Sequence, residues 1–235
     1  MSTLNTTRWI GIGLLGLPLY GALFFWSSFE GQPDPDTQLR SWSRFVTTDY
    51  YVISHLLSNI LGSIFLIFGV FALGAYLATT RAGSMGLVAM FLTVLGSTLY
   101  LPLQGVATFA WPKEGQAVLA GLEEFEALPP IFANTVQGLT ALVVILLGFV
   151  GNILVGAAVW RSGTLPKWSG ALWAGAHVLT SLSLIYGQTI SPYRTPFTVP
   201  LGAVVVVISG GWIALSVLSR PSGAPVGAAA QPRVR

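Results

Sequence analysis

The sequence predicts an all-α protein: a polytopic bundle of six transmembrane helices, with two short interfacial helices on the outer side. The first observation behind this fold class is composition, since 53% of the 235 residues are hydrophobic and 8% are charged. Ordinary soluble domains carry about 25% charged residues, so these charges are too few to cover a water-facing surface. The composition excludes a soluble enzyme and a disordered chain, and the absence of cysteine excludes a disulfide scaffold. A scattered net charge of +3 gives no argument for a nucleic-acid partner.

The second observation is a series of long apolar segments. A helix needs about 20 mainly apolar residues to cross about 30 Å of hydrocarbon. Six segments satisfy this: Trp9–Phe29, Tyr51–Thr79, Met85–Ala110, Ile131–Trp160, Gly170–Ile190 and Phe197–Leu218. The first is too long and too uniformly apolar for a signal-peptide core, so we expect it to remain as a span. Residues 1–219 are therefore predicted to form one domain, and residues 220–235, rich in Ala, Gly and Pro, a disordered cytoplasmic tail.

The two long connections between spans each contain an amphipathic pattern. In Glu30–Tyr50, the apolar residues Leu39, Trp42, Phe45 and Val46 recur at helical spacing, with Arg40, Ser43, Arg44 and Thr47 opposite. In Trp111–Pro130, one face holds Val118, Leu119, Leu122 and Phe125, and the polar residues Gln116, Glu123, Glu124 and Glu126 lie largely elsewhere. Both patterns predict helices lying on the membrane surface, and the alternative is two plain exposed loops.

The distribution of basic residues predicts the orientation. With six spans, seven basic residues lie on the side of the termini: Arg8, Arg81, Arg161, Lys167, Arg220, Arg233 and Arg235. Four lie on the other side: Arg40, Arg44, Lys113 and Arg194. Cytoplasmic loops carry the excess of Lys and Arg, so both termini are predicted to be cytoplasmic in a bacterial inner membrane. All eight acidic residues fall on the outer side.

A weak internal repeat and many glycines mark the spans. Leu73–Arg81 and Val155–Arg161 are similar, and each ends a span before a basic turn. The similarity is explained either by repetition of a helical hairpin or by the requirements that any membrane hairpin must meet.

The glycines are expected to let helix backbones approach closely. They include Gly11, Gly13, Gly16, Gly21, Gly138, Gly148, Gly151, Gly156, Gly210 and Gly211.

No motif for a known reaction occurs, so we assign no catalytic residue and no metal ligand. The central parts of the spans contain no Lys, Arg, Asp or Glu, and the chain has only two histidines, His55 and His177. The depths of His55 and His177 in the membrane argue against one haem ligated by both, because helix rise places them about 19 Å apart along the membrane normal. The axial nitrogens of one iron lie only about 4 Å apart. Apart from this argument, the sequence does not indicate whether the protein binds a cofactor.

Polar side chains gather at the predicted outer ends of the spans. Tyr51, His55 and Asn59 recur every four residues and so share one helix face. The remaining candidates at a similar depth are Tyr100, Gln104, Asn134, Gln137, Tyr186 and Gln188. Such groups are unfavourable in lipid and should turn inward. They predict either an outward-facing polar pocket, which is a ligand-binding site, or interhelical hydrogen bonding at the headgroup boundary. Asn152 stands apart and is expected to join two helices.

Two segments resemble small bacterial six-helix integral membrane proteins. They are Ser54-His-Leu-Leu-Ser-Asn-Ile-Leu-Gly62 and Ala158-Val-Trp-Arg-Ser-Gly-Thr-Leu-Pro-Lys-Trp-Ser-Gly170, and the resemblance covers about residues 50–175. It implies six spans, and it brings no activity and no site residue.

Three functional hypotheses follow. The first is a binding protein or an accessory subunit of a membrane complex, without catalysis of its own, whose partners are the lipid bilayer and other membrane subunits. The second is a small transporter or channel. The third is a membrane enzyme acting on a lipid or a quinone, with His55 as the base. We favour the first.

Overall fold

The computed structural model describes residues 3–29, 31–122, 135–190 and 195–220, and these ranges contain helices and turns but no strand. Five helical stretches in them are long and apolar enough to cross a membrane: Thr6–Ser27, Asp49–Leu77, Gly83–Leu119, Gly138–Ser162 and Thr198–Leu218. The all-α fold and its apolar, membrane-type helices are therefore confirmed. The predicted span Gly170–Ile190 forms a helix, but it is not among these five. It carries buried polar side chains at His177, Thr180 and Ser183.

The helices have the following bounds in chain order. They are α1 (Thr3–Leu14), α2 (Gly16–Ser27), α3 (Leu39–Val46), α4 (Asp49–Ser54), π1 (His55–Leu61), α5 (Gly62–Leu77), α6 (Gly83–Gly105), π2 (Val106–Ala110), α7 (Trp111–Leu119), α8 (Thr135–Ser162), α9 (Lys167–Ile190) and α10 (Thr198–Leu218). The segments π1 and π2 are π-helical and lie inside longer helices. The break between α1 and α2 at Leu15 lies three residues before Pro18, which has no N–H to donate to the preceding turn.

The long helices pack as a closed ring. The α1–α2 helix packs against α5, α5 against α6, α6 against α8, α8 against α9 and α9 against α10. Because α2 and α1 also pack against α10, the first helix and the last are neighbours. The buried core inside the ring includes Leu17, Tyr76, Trp173 and Ile213, each fully enclosed. Large apolar side chains such as Phe68, Phe91 and Leu215 lie exposed on its outside, as a lipid-facing surface requires.

Glycine makes the close helix contacts, as the sequence predicts. A Cβ at Gly16 would strike the backbone of Phe65 and Gly69. One at Gly151 would lie 2.8 Å from the backbone nitrogen of Thr93, and one at Gly156 would strike the Gly170 carbonyl. Gly148 does not fit this interpretation, because nothing lies within 4 Å of a Cβ there.

The second predicted surface helix is not confirmed as a separate element. The third long helix runs through α6, π2 and α7 without a break, so Val118 and Leu119 are its last residues. It ends in a Schellman motif: Gly121 has φ +77°, and Leu122 donates its N–H to the Ala117 carbonyl (3.2 Å). The other members of that predicted helix (Glu123, Glu124, Phe125 and Glu126) lie outside the described residues, as do residues 221–235 of the predicted tail.

The first predicted surface helix forms as α3, and its apolar residues Trp42 and Val46 are buried. Ser43 was expected on the opposite face but is fully buried. The reason is the close approach of α3 to α7 at Gly115, where a Cβ would lie 2.9 Å from the Ser43 carbonyl oxygen. The helix α3 is therefore packed against the end of α7 through a small core of its own.

Candidate functional site

The sequence-predicted site begins at Tyr51, near the start of the second long helix. Thr48 caps this helix, and its Oγ1 accepts the Tyr51 N–H (3.2 Å). The Tyr51 side chain is fully buried, and its hydroxyl donates to the Ala107 carbonyl (3.0 Å). Because Ala107 belongs to π2, this hydrogen bond joins the second and third long helices. We refer to the end of the bundle that contains this bond as the Tyr51 end.

The His55 imidazole lies directly against Tyr51. The two ring centroids are 4.0 Å apart, and His55 Nδ1 lies 3.1 Å from the Tyr51 carbonyl oxygen. A carbonyl oxygen can only accept, so the proton of a neutral His55 belongs on Nδ1. In that tautomer Nε2 carries a lone pair and can accept a hydrogen bond. The imidazole is only partly buried.

Two π-helical segments meet at this level, and sequence reasoning missed both. In π1, Gly62 donates to the Leu57 carbonyl, and in π2, Trp111 donates to the Val106 carbonyl, so both bonds span five residues. The two segments pack against each other. Well under 1% of residues in globular proteins are π-helical, and single π turns inside α-helices occur frequently at functional sites.

Both π segments contain a buried hydroxyl without a hydrogen-bond partner among the described residues. These are Ser58 Oγ in π1 and Thr108 Oγ1 in π2. A buried hydroxyl that makes no hydrogen bond costs free energy, so such atoms call for a partner such as water or a ligand. The π1 segment thus contains the His55 imidazole and one buried hydroxyl, and the π2 segment that packs against it contains the other.

The structure brings only some of the predicted site residues together. Tyr51 and His55 are in contact, and Asn59 lies in π1 next to the buried Ser58. Tyr100 and Gln104 are half-buried on α6, which packs against π1. Four of the predicted site residues cannot be placed. Asn134 lies outside the described residues, and the structure does not describe the side chains of Gln137, Tyr186 and Gln188.

A second polar centre lies deeper in the bundle, around His177. Its Nδ1 lies 2.9 Å from the Trp173 carbonyl oxygen, and the Trp173 ring packs on the imidazole at 4.7 Å between centroids. This repeats the arrangement of Tyr51 and His55, with an aromatic residue four positions before the histidine. The Tyr20 ring also lies near His177, at 6.4 Å.

Asn152 belongs to this deeper centre and joins two helices, as predicted. Its Oδ1 accepts from Trp173 Nε1 (3.1 Å), and its Nδ2 donates to the Gly148 carbonyl (2.8 Å). Both groups of the Asn152 amide are therefore satisfied between α8 and α9. His177 Nε2 is buried and has no hydrogen-bond partner within the described ranges. His55 and His177 thus lie in separate aromatic surroundings, and the prediction that they share no haem stays a prediction.

Comparisons with protein-family models, curated proteins and solved structures found no match for this chain. The functional assignment below therefore rests on the residues of the chain itself.

Proposed function

We propose that this chain is a six-helix protein of the bacterial inner membrane that binds a small polar molecule at the Tyr51 end. It acts as a binding protein or an accessory subunit, without catalysis of its own. One observation carries the proposal: Tyr51 lies against His55 of π1, and π1, with the buried hydroxyl of Ser58, packs against π2, with the buried hydroxyl of Thr108. An imidazole and two hydroxyls can donate to and accept from a polar ligand within otherwise apolar walls.

The sixth span in this proposal is α9. It packs along α8 and α10, both of which are long and apolar enough to cross a membrane. Its polar side chains at His177, Thr180 and Ser183 are buried in the bundle and do not face lipid. Intramembrane polar residues usually face the bundle interior in this way. The lower apolarity of α9 is therefore compatible with a membrane crossing.

The surface helix α3 lies over the Tyr51 end in this proposal. Its buried residue Trp42 meets the Trp111 ring edge-on at 6.0 Å between centroids, and Phe45 meets Tyr51 in the same way at 5.5 Å. Arg40 and Arg44 stay exposed on its other face. An apolar face against the bundle and a basic face in water suit a helix at the membrane surface.

Native mass spectrometry of the gently solubilised full chain tests the proposal. We expect a small molecule bound at a fixed ratio, or partner subunits at fixed stoichiometry, and no substrate turnover by the purified chain alone. A bare monomer with neither would contradict the proposal. Solute flux through liposomes that contain only this chain would show a transporter instead, and turnover that depends on His55 would show an enzyme.

The predicted orientation is tested by labelling single cysteines, since the chain has none of its own. Ser41 on α3 is exposed and predicted outside, and Ser219 after α10 is exposed and predicted in the cytoplasm. Ser162 is unsuitable, because it is 2% exposed and its Oγ accepts the Leu165 N–H. An impermeant reagent on intact cells should label Ser41→Cys, and should label Ser219→Cys only after permeabilisation. The reverse pattern would invert the assignment.

A further inference from the structure

A cavity of about 530 Å³ lies at the end of the bundle opposite Tyr51. Its lining comes from the turn between α5 and α6, the first turn of α6, and the last residues of α8. The lining residues are Arg81, Ala82, Ser84, Met85, Trp160 and Arg161. Two of these six residues are arginines, and both are exposed.

A direct hydrogen bond joins Arg81, in the turn after α5, to Arg161, near the end of α8. Arg81 Nε donates to the Arg161 carbonyl oxygen at 2.6 Å, although the two residues are 80 positions apart. Gly163 supports this arrangement, since a Cβ there would lie 3.0 Å from Arg81 Cζ, and its φ of +72° favours glycine. One N–H of the Arg81 fork is thus used to position it. The terminal nitrogens carry the remaining donors of the fork.

The positive charge at this end has no acidic counterpart among the residues that the structure describes. The sequence contains no Asp or Glu from residue 50 to 113, and none after Glu126. The nearby cations contact neutral groups instead. Arg220 donates to the Thr164 carbonyl and lies 5.3 Å from the Tyr76 ring centroid, and Lys167 lies 5.5 Å from that of Trp160. Carbonyls and aromatic rings leave the net charge uncompensated.

We infer that this cavity binds a phosphate group, supplied by the headgroup of an anionic phospholipid or by free phosphate on the same side of the membrane. Arginine forks match the geometry of phosphate oxygens and form strong charge-assisted hydrogen bonds with them. Ser84 adds a hydroxyl, and the backbone N–H groups of Ser84 and Met85 in the first turn of α6 add donors, whereas those of Gly83 and Gly86 already donate to the Thr80 and Ala82 carbonyls.

The surroundings of the cavity suit a lipid headgroup. Trp160 and Trp168 are 41% and 59% exposed, and their rings meet edge-on at 5.3 Å between centroids. Tryptophan is enriched at the level of lipid headgroups, where its ring is partly in hydrocarbon and its N–H reaches polar groups. Basic pockets between transmembrane helices on the cytoplasmic side are known to bind anionic headgroups. A headgroup phosphate in this cavity would leave its acyl chains beside the apolar outer face of the bundle.

Binding measurements with defined probes test the inference. The full chain, reconstituted in nanodiscs or detergent, is titrated with phosphatidylglycerol, with phosphatidylcholine and, separately, with inorganic phosphate. We expect retention of phosphatidylglycerol over phosphatidylcholine in native mass spectra. Arg81→Gln and Arg161→Gln should each weaken it about tenfold, as expected for one lost charge-assisted contact. Arg161→Gln keeps the carbonyl that positions Arg81, so it tests charge with little effect on the turn.

Two further variants separate a specific site from general attraction to a basic surface. Arg8→Gln removes one exposed charge from α1, outside the cavity lining, and should leave lipid retention unchanged. Gly163→Ala keeps every charge but pushes on the Arg81 guanidinium, and should weaken retention. Saturable binding of inorganic phosphate that is lost in Arg81→Gln, without lipid retention, would support the site with free phosphate as its source. Binding of neither probe, or an equal loss in Arg8→Gln, would overturn the inference.

Discussion

Replacing Gly156 with alanine is expected to lower the free energy of unfolding of the purified protein by about 1–3 kcal/mol, the usual cost of overpacking. The added methyl group would strike the Gly170 carbonyl and lie 2.6 Å from the Ala174 Cβ, so α8 and α9 would have to separate. These two helices carry the Asn152–Trp173 hydrogen bond, which the separation would strain. Unfolding in a detergent titration, followed by helical circular dichroism, measures the change.

Gly148→Ala is the matched control on the same helix. Nothing lies within 4 Å of a Cβ at Gly148, and the gain in helix propensity is the same as at Gly156. We expect Gly148→Ala to be neutral or slightly stabilising. If Gly156→Ala were no more harmful than Gly148→Ala, the close packing of α8 on α9 would be wrong.

Replacing Trp173 with alanine is expected to destabilise the protein by about 3–5 kcal/mol, the range for truncation of buried tryptophan or phenylalanine. Trp173 is fully buried and bonds Asn152. Its truncation leaves a cavity next to His177 and removes the donor to the Asn152 amide. Trp168→Ala, on the same helix but 59% exposed, should cost much less in the same unfolding experiment. Equal losses in the two variants would contradict the burial of Trp173.

A double-mutant cycle separates the hydrogen bond of Trp173 from its packing. Trp173→Phe and Asn152→Leu each remove one partner of the bond. Measured cycles on polar pairs in a membrane protein average about 0.6 kcal/mol, so we expect a coupling energy of that size. A coupling near zero would mean that Asn152 does not hold α8 to α9 through this bond.

Much of the fold could be predicted because a run of apolar residues directly indicates contact with lipid or with the protein core. The spans around Trp9–Phe29 and Phe197–Leu218 appear as helices within a few residues of their predicted bounds. The helix α3 was predictable from the spacing of Leu39, Trp42 and Val46. In each case the pattern lies within one helix, so a local reading of the sequence is sufficient.

The π segments were not predictable in the same way, because a bond from residue i to i+5 has no compositional signature. Pro112 was an available signal in one case. In a regular helix its ring would clash with the Thr108 carbonyl four residues earlier, and the wide π turn at Val106–Ala110 relieves this clash. The predicted span ends at Ala110, whereas the helix continues to Leu119.

Contacts between distant parts of the chain also escaped prediction. The hydrogen bond from Arg81 to the Arg161 carbonyl links the ends of Leu73–Arg81 and Val155–Arg161, two segments whose similarity in sequence does not predict a contact. Likewise, Tyr51 was predicted to share a face with His55, but nothing in the sequence pointed to Ala107 as its partner. The sequence indicates which groups must find partners, and the packing of the helices decides which partners they meet.

The central claim, a ligand site at the Tyr51 end, is tested most directly by the occupancy of the copurifying small molecule in two variants. His55→Gln keeps a polar side chain without the imidazole, and Asn59→Leu removes the amide while nearly keeping its volume. Gln116→Leu, which removes an exposed amide from α7, is the control. We predict that native mass spectra of the first two variants lack the molecule while their melting temperatures change little, and that the control retains it. Full occupancy in both His55→Gln and Asn59→Leu would contradict the claim, and these side chains would then serve only helix packing.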